Sequence, residues 1–255
     1  MNKSNIYTNA RRSSGLTCGM FLLTCAMIFQ TANARTQQGS ASPQNADKTP
    51  AVEVWIDDFD GAALDAAKWE RFTFAGGGGG KVEVKNGQLR QRGVGESRAG
   101  VRSRKSWRSD RFYAEATLAK VGERVPTPGD RNTQVGFANL TILFDGSGAN
   151  RLEFIMTSEG SLEAWAVTNG RGERLDNRKL ATRLKNPHLG IARRGDEIYF
   201  MLNDDTGTSQ PQIALQKTIT DLPPTFTVML YGFGTSENNW DKCLVQTTAQ
   251  SPSNE

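Results

Sequence analysis

Phe112-Tyr113-Ala114-Glu115-Ala116-Thr117-Leu118 puts an apolar or small residue at every second position, with Tyr, Glu and Thr between. A period of two is a strand with one buried face. The same period, or a short apolar run rich in β-branched and aromatic residues, recurs at 135–144, 152–156, 162–167, 198–202, 226–233 and 244–247. Turn signals separate these runs: Asp145-Gly146-Ser147-Gly148, Glu159-Gly160-Ser161, Asn169-Gly170 and Asn203-Asp204-Asp205. Asn86-Gly87, between Val82-Glu83-Val84 and Leu89, is the sharpest hairpin signal, because both central residues of such a turn take positive φ. Only 62–69 reads as helical, for one or two turns. Strands at this spacing with almost no helix predict an all-β fold, a two-sheet antiparallel β-sandwich of the jelly-roll kind, in one domain over residues 52–249.

The N-terminus reads as an export signal. Lys3, Arg11 and Arg12 precede an apolar run over 16–29, and Ala32-Asn33-Ala34 supplies a small-x-small cleavage pattern. Residues 1–34 are thus expected to be a removed signal peptide, with export to the periplasm, cell envelope or exterior and no membrane span afterwards. Residues 35–51 are a disordered linker by composition, and 250–255 a flexible tail. The chain carries 31 basic and 27 acidic residues, and three of the basic ones lie in the leader. The remainder is close to neutral, which argues against nucleic acid as a partner. Of three cysteines only Cys243 lies beyond the leader, so the domain must hold itself by burial, with Cys243 as a small buried hydrophobe. A monomer is expected.

Several segments, in order, resemble the concanavalin A-like lectin/glucanase superfamily. They are Asp57-Asp58-Phe59-Asp60-Gly61 with Leu64-Asp65 and Trp69, the hairpin at Asn86-Gly87, Gly100-Val101-Arg102-Ser103, the Phe112 strand, Arg194-Gly195-Asp196-Glu197-Ile198-Tyr199-Phe200, and Trp240-Asp241-Lys242-Cys243-Leu244-Val245. Within that superfamily the chain is most similar to secreted domains of planctomycete-type bacteria. The resemblance implies a concanavalin A-like jelly roll. It leaves function open, since lectins, glycanases and laminin-G-type adhesion modules share that fold.

A glycanase of this superfamily would carry E-x-D-x-x-E on one strand, so that alternate carboxylates flank a glycosidic bond. That motif is missing. Glu153 and Glu163 fall on two strands and offer an atypical pair that could meet across a hairpin. His188 is the only histidine and has no G-x-S-x-G partner, so it reads as structural. The glycines at 76–80 lead into a strand and not a helix, which excludes a phosphate loop. Asp58, Asp60 and Asp241, with Asp57, are candidate calcium ligands where first and last strands meet.

The aromatic residues carry the best functional signal, because sugar C–H faces stack on flat rings. Trp107, Trp165 and Tyr113 are the candidate platforms, while Trp69 and Trp240 are assigned to the core. Arginines crowd residues 90–111; Arg102 and Arg104 alternate on one face, and with Arg108 they are candidate grips for sulfate or carboxylate. The sequence therefore predicts a secreted, non-catalytic carbohydrate-recognition module with polysaccharide, and anionic polysaccharide in particular, as partner. The alternatives are a glycoside hydrolase-like enzyme with an atypical site and a structural or protein-binding module of the cell envelope.

Overall fold

The computed structural model describes residues 51–74, 79–94, 97–123, 135–146, 148–182, 184–205, 212–233 and 235–248. The expected signal peptide 1–34, the linker but for its last residue, the tail 250–255 and residues 75–78 of the glycine run lie outside them. Among the described residues there are sixteen strands and no helix. In chain order they are β1 (Val52–Asp57), β2 (Trp69–Phe74), β3 (Gly80–Val84), β4 (Leu89–Gly93), β5 (Arg98–Ser103), β6 (Trp107–Arg108), β7 (Arg111–Lys120) and β8 (Phe137–Phe144). There follow β9 (Asn150–Thr157), β10 (Ser161–Thr168), β11 (Arg171–Lys179), β12 (His188–Arg194), β13 (Glu197–Asn203), β14 (Gln212–Thr218), β15 (Thr225–Phe233) and β16 (Glu237–Thr248).

They form two antiparallel sheets. The first runs β14-β13-β12-β7-β16-β4-β3 with β1 beside β16, and the second β11-β10-β9-β8-β15-β5-β2 with β6 beside β15. The alternation read from the sequence decides which face of each strand turns inward. Ala114, Ala116 and Leu118 of β7 meet Leu140, Ile142 and Phe144 of β8 in one core between the sheets, joined by Leu152, Phe154, Val228 and Leu230. Burying each large apolar side chain there contributes about 1.5–3 kcal/mol relative to leaving it in water. Trp69, Trp240 and Cys243 are core residues, as expected, and burial pushes the Cys243 thiol far above its ordinary range. Asn86 (φ 56°) and Gly87 (φ 70°) make the expected turn between β3 and β4; Asn169 (51°) and Gly170 (78°) repeat it between β10 and β11.

Segment 62–69 corrects the helical expectation. Lys68 N and Trp69 N both donate to Asp65 O, at 3.1 and 2.9 Å, and Ala67 N donates to Asp65 Oδ1 at 2.8 Å. One Asp-stapled turn forms, and the chain leaves it directly into β2 because Trp69 must enter the core.

The outer face of the first sheet holds Tyr113, Glu115 and His188. His188 Nδ1 lies 3.5 Å from Glu115 Oε1 and Nε2 lies 3.1 Å from Asp205 Oδ1, tying the start of β12 to β7 and to the turn that follows β13. Tyr113 donates to Glu115, and its ring lies against Gly190, where a Cβ would sit 2.9 Å from Cε2. The bond to Glu115 raises the His188 pKa above its ordinary value against the opposing effect of burial, and Asp205 adds to the rise. Burial works to raise the Glu115 pKa, but the bonds from His188 and Tyr113 win and hold it low, with Lys242 assisting. Asp205 is held low by Asn186 first and His188 after it, with a smaller pull from Lys185. A histidine with a raised folded pKa stabilises fully below its unfolded value, about 6.5, and loses that contribution as pH rises through the folded one. The urea midpoint is therefore expected to fall as pH rises from about 6.5 to 8.5, and His188→Asn to flatten that fall. Urea titrations at both pH values check this; an equal slope in the variant would remove His188 as its cause.

Candidate functional site

Strands β9 and β10 turn Leu152, Phe154, Met156, Leu162, Ala164 and Ala166 into the core. Their alternate residues therefore stand on the outer face of the second sheet: Arg151, Glu153 and Ile155 on β9, Glu163, Trp165 and Val167 on β10. Register sets their neighbours. Trp165 is directly opposite Glu153 on one side and Arg174 on the other. A β-bulge at Ala164/Trp165 brings Arg174 to that place instead of Leu175, which packs against the core.

A groove of about 480 Å³ opens on this face, running from Gly172 and Arg174 on β11, past Trp165 and Glu153, to Tyr231 on β15 and Arg98 on β5. Its size lies within the range of small-ligand sites. Apolar Leu143, Met229 and Tyr231, with Phe72 and Phe137, form a cluster of their own on this side of the sheet. Gly100 makes room there: a Cβ at that position would come within 2.5 Å of Tyr231 Cβ.

The polar groups are positioned by one another. Glu153, 8% exposed, accepts from Tyr231 Oη at 2.7 Å and from Arg151 Nε at 3.0 Å. Asn139 Nδ2 donates to Tyr231 Oη at 2.7 Å. Burial and then the Glu153 charge push the Tyr231 phenol well above its ordinary pKa, so it stays protonated and donates. Arg151 Nη1 also donates to Gly148 O at 2.6 Å. Trp165, half-buried, donates from Nε1 to Glu163 Oε2 at 2.9 Å. The Arg174 guanidinium lies 5.7 Å from the Trp165 ring centroid, and that of Arg98 6.0 Å from the Tyr231 ring. The result is an aromatic surface with guanidinium at both ends and two carboxylates between.

The residues expected from sequence separate. Trp165 stands in the groove. Glu153 and Glu163 do share one face, as diagonal neighbours with Cβ atoms about 7 Å apart. Arg102 lies on the same outer face, paired with Glu70. Trp107 corrects its expectation: it is 3% exposed and packs on Phe226 at 5.6 Å and edge-on to Trp55 at 5.5 Å, because β6 joins β15 over the core. Arg104 does not alternate with Arg102, since β5 ends at Ser103; its Nε bonds Ala66 O at 2.7 Å. Arg108 is exposed on β6. Tyr113 belongs to the other sheet, on the opposite side of the sandwich. Arg98, Arg151 and Arg174, which the sequence reading did not single out as site residues, line the groove instead.

The aspartates do not gather. Asp57 is buried and accepts from Trp69 Nε1 at 2.6 Å and Phe59 N at 3.1 Å, while Asp241 accepts from Gln88 Nε2 at 2.8 Å. Strand β1 ends at Asp57, leaving Asp58 and Asp60 in the following loop. Among the described residues no three of His, Cys, Asp and Glu group so as to hold a metal ion, and the expected calcium set of Asp58, Asp60 and Asp241 is corrected accordingly.

No protein-family model matches the sequence, and no curated protein matches it. Solved structures do. The chain is similar to SCLam, a non-specific endo-β-1,3(4)-glucanase from family GH16, with a TM-score of 0.53 and 13% identity over 79% of this chain and 95% of that one. It is similar to the CBM2 module of the evolved Dit of Lactobacillus casei BL23 phage J-1, at 0.55 and 12% over 79% and 98%. It is also similar to the exoplasmic/lumenal domain of VIP36 in its Ca2+/Man2-bound form, at 0.52 and 8% over 78% and 90%. The chain has a concanavalin A-like jelly-roll fold. At such identities the likeness carries the fold alone, so function must be argued from the groove.

Proposed function

We propose that this chain is an exported, non-catalytic glycan-recognition module, and that an acidic polysaccharide lies in the groove on the second sheet. The observation that carries this reading is the juxtaposition of half-buried Trp165 with Arg174, Arg151 and Arg98 in one groove. An indole accepts the apolar face of a sugar, and a guanidinium holds carboxylate or sulfate with two parallel bonds. The neighbours in fold support a sugar ligand, one being a glucanase and another a structure in Ca2+/Man2-bound form.

Binding of the protein to neutral, uronic and sulfated polysaccharides, repeated at rising salt, tests the reading. Retention of the charged polymers is expected, weakening with salt because the contacts are ionic. Salt-insensitive binding of neutral polymers would remove the acidic preference, and no binding of any polymer would remove the glycan reading.

A second reading is favoured by one observation: Glu153 and Glu163 stand in the same groove, and a pair of carboxylates is what glycoside cleavage requires. Against it, Arg151 and Tyr231 hold Glu153 and the Trp165 indole holds Glu163. Turnover of a bound polysaccharide, abolished in Glu153→Gln or Glu163→Gln, would establish hydrolysis; a polymer recovered intact leaves a binder.

A further inference from the structure

Three neighbours of Trp165 decide how a sugar ring lies on it. Register places Arg174 of β11 on one side of the indole and Glu153 of β9 on the other, while Glu163, two residues back on β10, shares its face. The Arg174 guanidinium lies 5.7 Å from the indole centroid, and no carboxylate of the described residues pairs with it. Each glutamate is held through one oxygen only. Glu153 Oε1 takes both the Tyr231 and the Arg151 donors, and Glu163 Oε2 takes the indole N–H. Glu153 Oε2 and Glu163 Oε1 accept from no donor among the described residues, and both side chains line the groove. Glu153 is 8% exposed, so a ligand donor reaching its second oxygen forms a bond shielded from bulk water. We infer that the sugar on Trp165 is a hexuronate, with its carboxylate against Arg174 and its ring hydroxyls donating to Glu153 and Glu163. This rests on the reading of the groove as an acidic-glycan site, and names the acid and the residues that choose it.

A uronate ring in a 4-linked chain carries its carboxylate on one edge and its O2 and O3 hydroxyls on the other. Laid on the indole, such a ring meets a cation and then the acceptors in the order in which they stand across the sheet, from β11 to β9. The guanidinium can take the carboxylate with two parallel bonds. The reverse orientation brings the carboxylate to Glu153, where Arg151 is already bonded to that glutamate and to Gly148 O. Like charges juxtaposed in this way are strongly disfavoured. Ionised carboxylates only accept, so the two glutamates also discriminate against a ring without hydroxyl protons on that edge. A sugar sulfated at O2 or O3 gives up one of those donors to supply its anion, whereas a uronate keeps both.

Calorimetric titration with three forms of one oligogalacturonate tests this: the acid, its methyl ester, which lacks the charge, and the acid acetylated at O2 and O3, which lacks the donors. The ester and the acetylated acid are each expected to bind the unaltered protein about tenfold more weakly than the acid, the effect of losing one hydrogen bond to a charged group. Glu163→Gln still accepts from the Trp165 indole but no longer offers a charged acceptor, so acetylation should weaken binding to this variant by only about threefold. A steric effect of the acetyl groups alone would act equally on both proteins. Equal affinity for the acid and the acetylated acid, or an equal effect of acetylation on the two proteins, would overturn the inference while acidic-glycan binding itself stands. So would failure to bind the oligogalacturonate by a protein that retains a sulfated polymer. An ester bound as tightly as the acid, or no binding of any charged polymer, would remove both.

Discussion

Trp69→Ala is expected to lower the unfolding free energy by about 3–5 kcal/mol, the range for truncating a buried tryptophan. Trp69 is 1% exposed, edge-on to Trp55 at 5.2 Å and tilted against Phe59 at 5.8 Å. Those contacts join the first residue of β2 to β1 and to the loop after it, so a cavity here loosens the place where the two sheets begin. A polar cost adds to the cavity. Asp57, 7% exposed, accepts from the indole N–H and from Phe59 N, with Lys68 Nζ at 3.6 Å from the same carboxylate. Without the indole that buried carboxylate loses its shortest hydrogen bond. Trp69→Phe separates the two effects: it keeps most of the ring and removes only the donor, for an expected loss of about 1–3 kcal/mol. Urea unfolding followed by circular dichroism reads both. A loss below about 1 kcal/mol in the alanine variant would mean that the site collapses around the gap and that the triad of rings does not anchor the sheets.

Much of this core was legible because its strands alternate. β7, β9, β10 and β15 each carry a buried face whose period survives in the sequence. Among the strands that escaped reading are β11 (RGERLDNRK) and β14 (QIALQKT), one at the edge of each sheet. β11 is exposed or half-exposed throughout, so no apolar period exists to be read. Its order comes from backbone pairing with β10 and from charges such as the Arg178–Asp176 pair. Such charged edges also discourage pairing with other chains. Missing β11 meant missing Arg174.

The groove was half legible for a related reason. In Leu162-Glu163-Ala164-Trp165-Ala166 the tryptophan is in phase with Glu163 and out of phase with the small and apolar residues, which marks it as outward-facing. Glu153 is in phase with Arg151 and out of phase with Leu152 and Phe154 in the same way. Trp107 sits in a two-residue strand where no phase can be read, and composition alone made it look like Trp165. The arginines near 102–108 were conspicuous because they are close in sequence. Arg98, Arg151 and Arg174 come from three strands and meet only through register, which depends on pairings distant along the chain. Local density of charge was therefore a poor guide to the site, whereas the phase of one aromatic residue was a good one.

That phase gives the groove its most direct functional test. Trp165→Ala should leave stability within about 0.5–1 kcal/mol of the parent, since the ring is half-buried on the outer face and its polar atom bonds only a half-buried carboxylate. Its effect on ligand should be far larger. An aromatic anchor in a recognition site is worth about 2 kcal/mol or more, which corresponds to a loss of at least about thirtyfold in affinity for an acidic polysaccharide. Trp165→Phe should recover part of that loss, because a smaller ring still offers a face to the sugar. Arg174→Met is the complementary change: it keeps a chain to cover the indole and removes the cation, so affinity for charged polymers and its salt dependence should fall together, while affinity for neutral ones stays. Calorimetric titration of the three variants separates stacking from ion pairing. If Trp165→Ala binds as the parent does while remaining folded, the sugar does not rest on this ring, and the flat surface of the second sheet has lost its claim to be the binding site.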